Sequence, residues 1–335
     1  MRYIITLILW ILPQIVCAQA WEDQNLFNPE AGTPPLRIIS STDTSLFAPV
    51  IENFIQAHPS ISIDYMVTGT ADINKRFRAD PDAFDVVISS AMDLQLKLAN
   101  DGYAQRLPDI AHPKWAQWHQ SLFAFTSEPA AIVINKAAFA GYPIPKTRQE
   151  LIQAIRARPH VFRGRLGTYD IRKSGLGYLF ATQDARATET YWRLMEVMGA
   201  LDVRLYCCSG DMIDDLSHGR IAVAYNVLGS YAAARSKNTN ALEIILPADF
   251  PTTMMRTAMV SAKAAQPSQA KAFIQHLIAL QVDPDTTTAQ LPPLNTRAAE
   301  TKQITIELDP ALMTYLDTLK RQKFLTEWEN AVIQD

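Results

Sequence analysis

Residues 36–45 read Leu36-Arg37-Ile38-Ile39-Ser40-Ser41-Thr42-Asp43-Thr44-Ser45, a short β-like run that turns through helix-capping side chains into an amphipathic stretch ending at Ala57. Hydroxyl and carboxylate oxygens at such a turn accept hydrogen bonds from the first free N–H groups of a helix. The same succession returns twice. Ile61–Val67 alternates like a strand, and Thr68-Gly69-Thr70-Ala71-Asp72 leads into a helical Ile73–Arg78. Phe84–Ile88 is a buried-strand run, and Ser89-Ser90-Ala91-Met92-Asp93 caps a helix over Leu94–Asn100 that stops at Gly102. Three strand–cap–helix units in about 65 residues predict an α/β layer on a largely parallel sheet.

A second region of the same kind follows. Phe123–Asn135 is β-rich and broken at Ser127-Glu128-Pro129, then come the strand-like runs Leu166–Tyr169, Val203–Cys207 and Ile221–Asn226 with helical stretches between them. Further strand-like runs lie at Leu242–Leu246 and Met254–Val260, and the tail from Pro267 is helical with a break at Pro292-Pro293. A chain of 335 residues is too long for one compact core. The reading is an α/β clamshell of two lobes, each a mixed sheet flanked by helices, with two hinge crossings near residues 124–136 and 240–260. The expected limits are a signal peptide at 1–20, a polar arm at 21–35, the first lobe at 36–130, the second at 131–245, and a return to the first lobe with C-terminal helices at 246–335.

The N-terminus bears on the compartment. Met1-Arg2-Tyr3 is followed by an apolar run from Ile4 to Val16 and by Cys17-Ala18-Gln19-Ala20. A basic start, a short apolar core and an Ala-x-Ala end form a secretory signal, here with cleavage after Ala20 and export to the periplasm. The rival reading, a lipid anchor on Cys17, is disfavoured by the large residues Ile15 and Val16 before it. The net charge of −3 argues against nucleic-acid binding through phosphate neutralisation. Beyond Cys17 the only cysteines are the neighbours Cys207 and Cys208. They read as two small buried side chains, with a vicinal disulfide as the alternative in an oxidising compartment.

Ligands of open α/β sheets sit beyond the carboxyl ends of the strands, so the loops after each strand should face the cleft. Ser41 and Thr42, Thr70, and Ser89 and Ser90 combine short hydroxyls with helix N-termini, a receptor for carboxylate or phosphate oxygens. In the second region, Asp170-Ile171-Arg172-Lys173-Ser174-Gly175-Leu176-Gly177 follows a strand and opens a helix. Arg172 offers a guanidinium fork, Ser174 a hydroxyl, and Gly175 and Gly177 a close backbone approach. Tyr225 and Asn226 are expected at the cleft rim, with Tyr231 packed inside. Arg256, a charge within an apolar strand, needs either a ligand or a carboxylate partner. No Gly-x-Ser-x-Gly elbow or His-Glu-x-x-His pair occurs, and no histidine lies beside a candidate nucleophile. The expectation is a binding protein, not an enzyme, monomeric, with no cofactor and no metal.

Taken together, Phe84-Asp85-Val86-Val87-Ile88-Ser89-Ser90 with Asp101-Gly102-Tyr103, the loop Asp170 to Gly177, and Ala224-Tyr225-Asn226 resemble the type II periplasmic solute-binding proteins. The resembling branch serves ferric ion, sugar phosphates and phosphoglycerate-linked systems, and the likeness spans about Leu36 to Trp328. It implies two hinged lobes that capture a solute without changing it and deliver it to the permease of an ABC-type transporter. A periplasmic partner of a membrane sensor kinase is the alternative within that resemblance. Ferric-binding members carry two adjacent tyrosines where this chain has Tyr225-Asn226. A small organic oxyanion, carboxylate or phosphate ester, therefore fits the loops better than iron.

Overall fold

The computed structural model describes residues 20–31, 34–236, 240–280, 291–294 and 304–334. The expected signal segment lies outside the described residues except for Ala20. The three strand–cap–helix units form β2 (Leu36–Ser40), α1 (Thr44–Ala57), β3 (Ile63–Val67), α2 (Thr70–Ala79), β4 (Val86–Ser89) and α3 (Met92–Asn100). β2 pairs in parallel with both β3 and β4, which crossovers through α1 and α2 make possible. The polar arm is a strand as well: β1 (Asp23–Phe27) runs antiparallel along β3. Its side chains are mostly exposed, so backbone pairing rather than apolar burial holds it.

β5 (Gln117–Trp118) and β6 (Leu122–Ala124) form a hairpin at the far edge of this first sheet. The chain then enters the second lobe at β7 (Glu128–Asn135), followed by α4 (Arg148–Ala157), α5 (Pro159–Phe162) and β8 (Leu166–Tyr169). Next come α6 (Gly175–Ala187), α7 (Thr190–Gly199), β9 (Arg204–Tyr206), α8 (Ser209–Ser217), β10 (Val223–Leu228) and α9 (Gly229–Ser236). β11 (Leu242–Ile245) and β12 (Thr252–Met254) both pair with β7. The return to the first lobe is β13 (Thr257–Val260), which inserts between β4 and β6, and α10 (Pro267–Ala279). A third passage follows. β14 (Ile304–Thr305) pairs with β12 in the second sheet, and α11 (Thr318–Val332) packs on α7.

The lobe limits therefore shift from the expected ones. Residues 246–335 do not all return to the first lobe, because β12, β14 and α11 complete the second. The reason is apolar cover: Phe324 and Trp328 are buried, with Phe324 edge-on to Tyr178 of α6.

The first two crossings run side by side, and a buried ion pair ties them. Arg256, between β12 and β13, places Nε 2.9 Å from Glu128 Oε1 and Nη2 3.1 Å from Oε2, and both residues have no solvent exposure. Arg256 Nη1 donates to Thr42 Oγ1 at 2.5 Å, Thr126 donates to Glu128 at 2.9 Å, and Ser230 donates to its other oxygen. Phe125 N donates to Arg256 O at 2.9 Å, which joins the two crossing segments through their backbones. A charge that must be buried is thus matched in full at the hinge.

Asp93, in the first turn of α3, is 2% exposed and its Oδ1 has no hydrogen-bond partner. Burial pushes its carboxyl up to about 7 from the ordinary 3.8, against the smaller opposing pull of the Leu94 and Asp93 backbone N–H groups and, least, of Arg321 of α11. The folded chain thus keeps a proton that the unfolded chain releases, so this contribution to stability is full below about pH 3.8 and is lost as pH rises through about 7. Asp93→Asn, which keeps the shape without the charge, should flatten that fall by roughly 2–4 kcal/mol. Urea titrations at pH 4 and pH 8 measure it, and an equal pH slope in both proteins refutes it.

Candidate functional site

The carboxyl ends of both sheets meet at a chamber enclosing about 40 Å³ between the lobes. Ser41, Thr68, Thr70 and Ser90 line it from the first lobe, and Tyr169, Ser174, Ser209 and Tyr231 from the second. The N-cap residues of four helices, Asp43 of α1, Gly69 of α2, Ser174 of α6 and Cys208 of α8, also form its wall. The positive ends of these helix dipoles meet at one small volume, with the first-turn N–H groups of Leu176 and Gly177 in α6 already taken by Thr70 and Ser174. Leu176, Leu228 and the rings of Tyr169 and Tyr231 add apolar surface.

The lobes are closed on each other. Leu176 N, in the first turn of α6, donates to Thr70 Oγ1 of α2 at 3.1 Å. Tyr231 OH donates to Asp43 Oδ1 at 3.1 Å and accepts from Asp43 N at 3.2 Å. A Cβ on Gly175 would lie 2.8 Å from Leu94 Cδ1, 3.1 Å from Thr70 Oγ1 and 3.2 Å from Ala91 Cβ, all across the cleft. Gly175 has no positive φ, so what glycine supplies there is space for the other lobe.

Of the expected site residues, Ser41, Thr70, Ser90 and Ser174 come together in the chamber wall, with Gly175 at the contact beside it. Ser90 N donates to Ser41 Oγ at 3.1 Å, and Ser174 Oγ caps α6 by accepting from Gly177 N at 3.1 Å. The others lie elsewhere. Arg172 turns away from the cleft: it pairs with Asp170 at 2.7 Å and Glu329 at 3.3 Å, because those carboxylates hold the fork expected for a ligand. Arg256 and Thr42 are committed to the hinge pair. Ser89 lies beneath the wall, its Oγ accepting from Ala91 N. Gly177 serves packing, since a Cβ there would sit 2.3 Å from Tyr169 Cβ.

Tyr225 and Asn226 point into the second lobe. Tyr225 OH donates to Asp184 Oδ2 at 2.6 Å and accepts from Arg148 Nε at 2.7 Å, while Asn226 Nδ2 donates to the same carboxylate oxygen at 2.9 Å. Asn226 takes φ 63°, where β10 slips register against β7, and this bulge turns the side chain inward. Tyr231 is packed as expected, and its hydroxyl also reaches across the cleft to Asp43.

Several wall residues were not anticipated. Glu22, which precedes β1, lines the chamber together with Asp43, and among the described residues no lysine or arginine does. Burial and Asp43 push the Glu22 carboxyl up, as do Asp211 and Asp72, so it takes up a proton more readily than usual. A wider vestibule of about 520 Å³ shares Glu22, Asp43 and the two cysteines with the chamber and adds Asp211, Asp214 and Arg235. Cys207 and Cys208 are joined as a vicinal disulfide and are not buried side chains, which corrects the first reading of the pair.

The family model of the bacterial extracellular solute-binding protein matches residues 39–280. No curated protein matches the chain in sequence. Among solved structures, the substrate-binding protein of an ABC transporter from Agrobacterium tumefaciens is 32% identical, with 92% of this chain and 98% of that one covered at TM-score 0.86. The periplasmic binding protein AfuA from Actinobacillus pleuropneumoniae, with exogenous fructose-6-phosphate bound, is 15% identical over 90% of this chain and 99% of its own at TM-score 0.72. Iron-bound HitA from Pseudomonas aeruginosa is 13% identical over 89% and 99% at TM-score 0.63. The last two bear on the fold alone. Among the described residues no helix is long and apolar enough to cross a membrane.

Proposed function

The chain belongs to the bacterial extracellular solute-binding proteins, a family of binding components and not of enzymes, and within it we propose that this protein captures a small organic oxyanion for an ABC-type permease. The carrying observation is the convergence of helix N-termini and hydroxyls on one interlobe chamber with, among the described residues, no basic side chain in its wall. Neutral donors of this kind hold carboxylate and phosphate oxygens. Glu22 and Asp43 then select a solute that carries a donor, a hydroxyl or an ammonium, on its other end. The protonated form of Glu22, favoured by its surroundings, can itself donate to an acceptor.

Export fits the arm. With cleavage after Ala20, Trp21 starts the mature chain, stacks beneath Arg76 at 4.1 Å and meets Phe84 edge-on at 6.1 Å. N-terminal sequencing should return Trp21, and a lipidated Cys17 refutes it.

Thermal-shift measurements with inorganic phosphate, glycerol 3-phosphate, phosphoethanolamine, glucose, spermidine and ferric ion test the ligand class. The phosphate esters should stabilise the protein by about 2.7 kcal/mol at a hundredfold excess over Kd. Stabilisation by glucose, spermidine or ferric ion alone overturns the reading.

A further inference from the structure

Between β9 and α8 only Cys207 and Cys208 link the strand to the helix, and they are bonded to each other. Both line the chamber and the vestibule outside it. Cys208 is the N-cap of α8, and the next residue, Ser209, is a hub of the second-lobe wall. Its Oγ lies 2.5 Å from Tyr169 OH and accepts from Leu228 N at 3.4 Å, so three wall residues meet just after the disulfide. Resting on the reading of this chamber as the solute site, we propose that the Cys207–Cys208 disulfide is a redox-set positioning element. Oxidised, it fixes the entry into α8 so that Ser209 and the helix start face the solute. Reduced, it frees that entry and weakens capture.

The physical basis is the ring that the bond closes. Two consecutive residues tied through their side chains lose backbone freedom that an open pair retains, and the direction of the following helix depends on that freedom. The bond is also within reach of reductant, since Cys207 is exposed and Cys208 half-buried at the vestibule. In the exchange, a thiolate of a dithiol reductant attacks Cys207 sulfur and Cys208 leaves as thiolate at the α8 N-terminus, where the dipole favours negative charge. The second thiol of the reductant resolves the mixed disulfide. Two electrons and two protons have then passed to the pair, and the reductant departs as its own disulfide. The freed Cys207 has a new partner available, since its sulfur lies 3.5 Å from Asp211 Oδ2.

The test compares the mature protein oxidised, reduced with dithiothreitol and reoxidised, alongside a Cys207→Ser/Cys208→Ser double variant. Amide hydrogen exchange over residues 213–217, the first amides bonded within α8, should rise about tenfold on reduction, return on reoxidation, and be high in the double variant whatever the reductant. Exchange across α1 should not change. The Kd for glycerol 3-phosphate should rise about tenfold in the same reduced samples. Equal exchange in the oxidised and reduced protein overturns the proposal whether or not the probe binds, and so does an unchanged Kd in a protein that binds it. If no oxyanion binds while exchange still follows the redox state, the oxyanion reading falls and the positioning role is upheld.

Discussion

Arg256→Ala lowers the unfolding free energy by about 3–5 kcal/mol, because removing one partner of a fully buried pair strands the other charge. Glu128 then keeps a carboxylate with no solvent exposure and only the hydroxyls of Thr126 and Ser230 beside it. Glu128→Ala should cost a similar amount and leave the guanidinium with Thr42 alone. The double replacement Arg256→Met with Glu128→Leu should cost far less than either single change, since a buried pair traded for apolar groups of similar size is often neutral. Urea denaturation measures all three. A single-alanine variant within about 1 kcal/mol of the parent contradicts the account.

Gly175→Phe should abolish tight capture while leaving both lobes folded. The α6 start accepts any residue on backbone grounds, since Gly175 has no positive φ. A ring there meets Leu94, Thr70 and Ala91 of the opposite lobe, whose nearest atoms already stand 2.8–3.2 Å from a mere Cβ. The lobes must then stay apart, and the contact of Leu176 N with Thr70 cannot form. Affinity for any oxyanion that the parent binds should fall about a hundredfold or more, roughly 2.7 kcal/mol. Small-angle scattering should show an unchanged radius on adding that solute, whereas the parent contracts. A variant that contracts and binds as the parent does removes the closed interface from the mechanism.

What was legible from residues alone was whatever depends on neighbours in the chain. Apolar runs followed by Ser, Thr and Asp declared β2, β3 and β4 and the helices after them, and the same caps put Ser41, Thr70, Ser90 and Ser174 at the strand ends that form the chamber. Distant partners were not legible. Arg172 looks like an anion receptor until Glu329, far along the chain, appears at 3.3 Å. Tyr225 looks like a rim residue until Asp184 and Arg148 close on it within the lobe. β1 escaped notice because Asp-Gln-Asn-Leu-Phe shows no apolar alternation, and its pairing with β3 is made by backbone groups that every sequence carries. Glu22 was hidden with it. Tyr231 carried one available signal: it lies in the first turn of α9, where a phenol can extend past the helix start.

The three passages of the chain also set an order of assembly. A polypeptide that emerges N-terminus first has delivered all seven strands of the first sheet once Val260 is out. The second sheet must wait for β14, and the flank of α7 stays bare until Phe324 and Trp328 arrive. The lobe that carries Ser174 and Ser209 is therefore the last to be finished, although most of its residues emerge early. A molecule clipped near its C-terminus would keep an intact first lobe beside a second with an uncovered apolar side. Solute capture would fail through damage to a face that lines no part of the chamber.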